Sequence, residues 1–172
     1  MTARAPALLL FVSALLGAGC GDETSGTPGV NPTEGTDPVF EEGIPTPPVA
    51  PGDHIGQQMS LRAGQFAEGM EPATPLFRGT LETGDNQDYQ AVLQAGRCFK
   101  VVGVGGPSVS DLDLFLFDPN GVQVQQDTAT DAYPVLGLTH QICPTAPGAY
   151  RVQVRMYAGE GEFGVQVFQT RR

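Results

Sequence analysis

From Leu76 to the C-terminus, apolar and polar residues alternate in short runs broken by Gly, Pro, Asn and Asp. A period of two is the mark of half-buried strands. It is clearest at Asp111–Gly121, where Leu112, Leu114 and Leu116 take one face of a pleated strand. Asp111, Asp113, Phe115 and Phe117 take the other, and Asp118-Pro119-Asn120-Gly121 ends the run. Proline cannot donate to the next ladder position, and Asn-Gly adopts the positive φ of a tight turn. Val122–Gln126 then pairs back as a hairpin. Further strands are expected at Leu76–Glu82, Asp88–Gln94, Cys98–Val104, Pro134–Cys143, Tyr150–Tyr157 and Glu162–Gln169. About eight short strands, each with a polar face, specify an all-β, two-sheet antiparallel β-sandwich of jelly-roll-like form.

The pattern weakens towards the N-terminus. Over His54–Pro72, Gly56, Gly64 and Gly69 interrupt a faint periodicity, which predicts one or two helical turns or a short edge strand. Before it, residues 20–53 are rich in Pro and Gly and carry Asp22, Glu23, Glu34, Asp37, Glu41 and Glu42 with no basic residue from Gly21 to Gly52. Such a segment cannot bury enough apolar surface to offset its ordering entropy, so a disordered, extended tether is expected. Residues 1–19 read as an export leader: Arg4, an apolar run from Ala7 to Leu16, then Gly17-Ala18-Gly19 before Cys20. The run is too short for a permanent membrane span. The ordered domain is thus placed at 54–172.

Composition narrows the function more than the fold. A formal charge of −10 and 9 Lys plus Arg give no basic footprint for nucleic acid. The two histidines, His54 and His140, are far apart in sequence, with no nucleophile elbow or metalloprotease helix near either. His140 is in phase with Leu136, Leu138 and Ile142 and reads as half-buried and structural. No catalytic residue and no organic cofactor is expected.

Two candidate sites remain. Asp111, Asp113 and Asp118, with Asp85, Asp88, Asp127 and Asp131 nearby, form the dense carboxylate group, and hard cations such as calcium take six to eight oxygen ligands. The competing reading has these side chains capping turns and pairing with Arg151 or Arg155 across the sheet. Phe115, Phe117 and Tyr157, together with Tyr133 and Phe168, fall on outward faces or loops, where aromatic rings suit protein or polysaccharide surfaces. The second sheet, or the segment before Leu76, is the alternative that would cover them.

Cys98 and Cys143 are left once Cys20 is set aside. In an oxidising compartment they pair as a disulfide, or else stay as two buried thiols. A bridge closing about 45 residues contributes roughly 4 kcal/mol by chain entropy.

Two family resemblances sharpen this picture. Leu16 to Cys20 is similar to the lipobox of bacterial lipoproteins, with Leu16 one place further from the cysteine than usual. That resemblance implies a lipid-modified Cys20, and an ordinary signal peptide cut near Ala18-Gly19 is the alternative. From Leu76 to Phe168 the chain resembles the bacterial pre-peptidase C-terminal domain. The similarity is carried by Gly84-Asp85-Asn86-Gln87-Asp88-Tyr89, by Asp111–Gly121 and by Gly148-Ala149-Tyr150-Arg151-Val152-Gln153-Val154. It implies a non-catalytic β-sandwich used for secretion, substrate or matrix binding, and sometimes calcium binding. The expectation is an exported, lipid-anchored binding or structural module. It would sit on the bacterial cell envelope, at the outer membrane or cell surface, facing an envelope protein or polysaccharide. A calcium-stabilised accessory domain assisting a secreted hydrolase is the second expectation.

Overall fold

The computed structural model describes residues 50–171. The leader over 1–19, Cys20 and nearly all of the tether lie outside the described residues.

The first element departs from the sequence reading. His54–Phe66 forms one helix, α1, rather than one or two turns or an edge strand. Its glycines lower the intrinsic propensity, but packing overrides them. Ile55, Met59, Ala63 and Phe66 recur at helical spacing and lie with Val102, Val104, Val135 and Phe168 in one apolar cluster. The Asp53 carboxylate accepts the Gly56 N–H at 2.9 Å and two Arg78 N–H groups at 2.8 and 2.6 Å. Asp53, assigned from the sequence to the tether, is therefore the cap that starts the domain. At the other end Lys100 Nζ donates to the Phe66 carbonyl at 2.6 Å, satisfying an orphan helix acceptor.

Nine strands follow, one more than expected: β1 (Met70–Pro72), β2 (Phe77–Leu81), β3 (Asn86–Leu93), β4 (Phe99–Gly105), β5 (Val109–Phe117), β6 (Gln123–Asp127), β7 (Val135–Leu136), β8 (Gly148–Gly159) and β9 (Gly161–Thr170). They form two antiparallel sheets. Sheet A runs β1-β9-β4-β7, with β2 also paired to β9, and sheet B runs β3-β8-β5-β6. β1 meets Phe168–Thr170 and β2 meets Gly161–Val165, so the two share one edge of β9 end to end. The eight strands β2 to β9 cross between the sheets as a jelly roll does.

The leucines of β5 meet sheet A as the alternation predicts. Leu112, Leu114, Leu116, Val152, Val154 and Met156 from sheet B pack with Phe99, Val101, Phe163, Val165 and Val167 from sheet A. Sheet A is buried on its other side too, under α1, which explains why Val101–Val104 and Phe163–Phe168 are buried at every position. Gly164 permits this approach: a β-carbon there would come within 2.6 Å of Ile55 Cγ2. The layers are helix, sheet A, sheet B, and no helix or strand among the described residues packs over the outer side of sheet B.

The strand expected over Pro134–Cys143 shrinks to Val135–Leu136. Gly137 takes φ 88° and turns the chain away, and Ile142 alone returns as a bridge to Phe99. His140, expected half-buried, is exposed on this turn. Cys98 and Cys143 are bonded as a disulfide across a separation of 45 residues.

Candidate functional site

The uncovered side of sheet B carries the aromatic candidates. Pairing registers place its side chains in rows that cross the sheet. Gln90, Arg151, Phe117 and Gln123 make one row, and Asp88, Gln153, Phe115 and Gln126 make the next. Asn86, Arg155 and Asp113 make a third. Neither sheet A, which packs on the leucine face, nor α1, which covers the far side of sheet A, shields Phe115 and Phe117. Their cover is local. The Arg151 guanidinium lies 3.8 Å from the Phe117 ring centroid, and that of Arg155 is 6.0 Å from Phe115 and 5.1 Å from Tyr157. Tyr157 is 57% exposed. Tyr133 and Phe168 do not belong to this face: Tyr133 is half-buried beneath Arg62, and Phe168 is buried under α1.

Each arginine is tied by a carboxylate. Arg151 Nη1 donates to Asp88 at 3.0 and 3.2 Å, and Gln153 Nε2 donates to the same carboxylate at 3.0 Å. Arg155 Nε lies 3.3 Å from Asp113 Oδ2. The face is thus a set of matched groups on rigid strands. Its amides, Asn86, Gln90, Gln123, Gln126 and Gln153, escaped the sequence reading because polar strand positions look like ordinary solvent-facing residues. Only the register shows that they share one surface.

The three aspartates proposed for calcium are not one site. Asp113 pairs with Arg155, while Asp118 stands five residues further on, about 16 Å away at strand rise. There it closes the hairpin turn, accepting from Asn120 N at 2.9 Å and Val122 N at 2.8 Å. The Asp127 carboxylate accepts from the Ala129 and Val135 N–H groups, and that of Asp131 from the Tyr133 N–H. Among the described residues no group of three or more His, Cys, Asp or Glu is arranged to hold a metal ion. The alternation placed the carboxylates on one strand, but a strand spreads its residues lengthwise and its turns consume them.

Burial leaves a different signature on this group. Asp111 is 5% exposed and its Oδ1 has no hydrogen-bond partner, and Asp113 is 2% exposed. Burial, then the Asp131 charge, pushes the Asp111 carboxyl above its ordinary 3.8, against the opposing pull of Arg155. Burial likewise raises Asp113 in spite of Arg155. Asp53 goes the other way, held at about 2 by the Arg78 hydrogen bonds, and Asp118 is lowered by the Val122 N–H and its neighbours. A raised folded-state value means the contribution of Asp111 and Asp113 is full below pH 3.8 and lost as pH climbs through the raised value. That of Asp53 and Asp118 is present above 3.8 and lost as pH falls through their lowered values. Asp111→Asn is therefore expected to raise the melting temperature by a few degrees at pH 7 and to leave it almost unchanged at pH 3. Thermal melts across that range test this, and equal shifts at both ends would refute the assignment.

No protein-family model and no curated protein sequence matches the chain. Among solved structures, the Aeromonas hydrophila protein PliG, a periplasmic inhibitor of g-type lysozyme, is similar at 19% identity with a TM-score of 0.41. The match covers 58% of this chain and 88% of that one. A likeness at this level carries no functional argument.

Proposed function

We propose that this chain is an exported, lipid-anchored, non-catalytic module that binds a protein or polysaccharide of the bacterial envelope through the outer face of sheet B. The observation that carries the reading is that face itself. A sandwich covers one side of sheet A with a helix and leaves the corresponding side of sheet B open, furnished with half-exposed rings, arginines and amides. Matched, immobilised side chains on strands are suited to recognition because little rotamer entropy is lost on binding. The leader and Cys20 supply the export and anchoring parts of the reading, and the disulfide belongs in an oxidising compartment. The resemblance to pre-peptidase C-terminal domains stays part of it. The three stretches that carry the resemblance fall at the β2–β3 turn, on β5 with its hairpin, and at the start of β8.

Two measurements test the proposal together. Labelled palmitate is expected on the mature chain and absent from Cys20→Ala, which moves from the membrane pellet to the soluble fraction. The mature chain carrying Cys20→Ser is expected to cosediment with membrane-free envelope fragments, and addition of Val92→Ser/Tyr157→Ala, at two exposed apolar side chains of this face, to weaken that at least tenfold. Unlabelled Cys20, or cosedimentation indifferent to the double variant, would overturn the corresponding half.

A further inference from the structure

Resting on the reading that the outer face of sheet B is the binding surface, we infer that its ligand is an uncharged, polyhydroxylated chain: a neutral polysaccharide.

The charges that the three rows present cancel, and Asp111, further along β5, is buried. Asp88 is matched to Arg151 at 3.0 Å and Asp113 to Arg155 at 3.3 Å. In a chain of formal charge −10 such neutrality is not inherited from composition. An anionic polymer meets a repelling chain and two guanidinium groups already engaged. A cationic one finds Asp113 almost wholly buried and Asp88 accepting three hydrogen bonds. Neither sign of charge is rewarded here.

What the face offers instead is amide groups. A carboxamide both donates and accepts, which is the demand a sugar hydroxyl makes. Gln153 spends its NH2 on Asp88 and keeps its carbonyl oxygen. Gln123 donates to Gln126 at 2.8 Å, leaving the NH2 of Gln126 and the carbonyl oxygen of Gln123. Asn86 and Gln90 have both halves unspent among the described residues, one row on either side of Asp88. Rings supply the apolar complement to the C–H faces of a sugar, through Phe115 and the exposed Tyr157.

Shape and the placing of apolar groups decide between ligand classes. Two of the rows cross four strands, from edge strand β3 to edge strand β6, farther than a small molecule spans; the concavity that would suit one lies beside β6, where residues 135–140 wall a cavity lined by Gln125, Leu138 and His140. A polymer running over the rows has no end to accommodate. A protein partner wants its apolar contacts gathered at the centre of the patch. Here the exposed Val92 pairs with Ala149, eight residues along β8 from Tyr157, which is about 26 Å at strand rise. Between them Phe115 and Phe117 stand singly, each beside an arginine and flanked by carboxamides, so the apolar groups are dispersed over the face rather than gathered.

The test is affinity electrophoresis of the mature chain, carrying Cys20→Ser for solubility, in native gels containing hydroxyethylcellulose, galactomannan, dextran, glycol chitosan or alginate. Retardation by at least one of the three neutral polymers is expected, unchanged by 1 M NaCl, because no net charge is being screened. Gln90→Ala/Gln153→Ala is expected to weaken it at least tenfold with an unchanged melting temperature, and Leu61→Ser on α1 to leave it alone. Retardation only by alginate or glycol chitosan and abolished by salt, or by none of the polymers, overturns the inference. If the polymers fail while envelope binding is lost both in Val92→Ser/Tyr157→Ala and on protease treatment of the envelope, the partner is a protein. The proposed function then stands and this inference falls. If envelope binding ignores the face variants, both fall.

Discussion

Phe163→Ala is expected to destabilise the domain by about 4 kcal/mol, towards the upper end for a buried aromatic. For a domain of this size that lowers the melting midpoint by roughly 15 °C. Phe163 is wholly buried on β9, in edge-to-face contact with Tyr89 at a centroid distance of 6.3 Å. Its cross-strand partners are Gly79 on β2 and Gly105 on β4. One ring thus fills the volume of three positions, and a β-carbon at Gly79 would sit 2.7 Å from its Cε1. Glycine has no side chain to lean into the vacancy, so the cavity stays open and its full cost is felt. Phe163→Leu, which keeps most of the volume, should recover more than half of the loss. Chemical denaturation at constant m-value measures both. A loss under about 2 kcal/mol would show that the two sheets close up over the gap.

Cys98→Ser/Cys143→Ser comes next, with an expected loss of about 4 kcal/mol. The bond closes a loop of 45 residues that spans β4 to β7 and both connections to sheet B. Most of the effect lies in the unfolded chain, which regains the freedom of that loop. A native-state part comes from the place it holds. Phe99 N donates to the Ile142 carbonyl at 2.8 Å, and Thr170 N donates to that of Cys98 at 2.9 Å. The bond therefore pins the irregular return after Gly137 to the central strands of sheet A. Reduced wild type should melt with the double variant, and thiol labelling should find no accessible Cys98 or Cys143 before reduction. A melting point insensitive to reductant would place the stabilisation elsewhere.

The sandwich was legible because its strands are half-exposed. Tyr150, Val152, Val154 and Met156 alternate with Arg151, Gln153 and Arg155, and the structure puts them on the two faces so named. The turns were legible for a similar reason: Gly121 at φ 81° and the Asp118 carboxylate form a local motif that needs no distant partner. The helix was not, because the partners of Ile55 and Met59 are Val102, Val104 and Phe168, up to 113 residues away in sequence. Local propensity marked that stretch as weak, and a long-range contact overrode it. The candidate site was legible residue by residue for Phe115, Phe117 and Tyr157, and illegible as a surface. Alternation tells which face a residue takes on its own strand but not which strand lies beside it.

Alternation, turn chemistry and composition therefore determined, from the sequence alone, an all-β sandwich and the leucine face of β5 as core. Each depends on residues within a few positions of one another. The tertiary structure decided the helix, the register that gathers amides, rings and arginines on one open face, and the dispersal of the aspartates into an ion pair and a turn cap. Those follow from cross-strand pairing and burial between distant segments, which have no period a single stretch of chain can display.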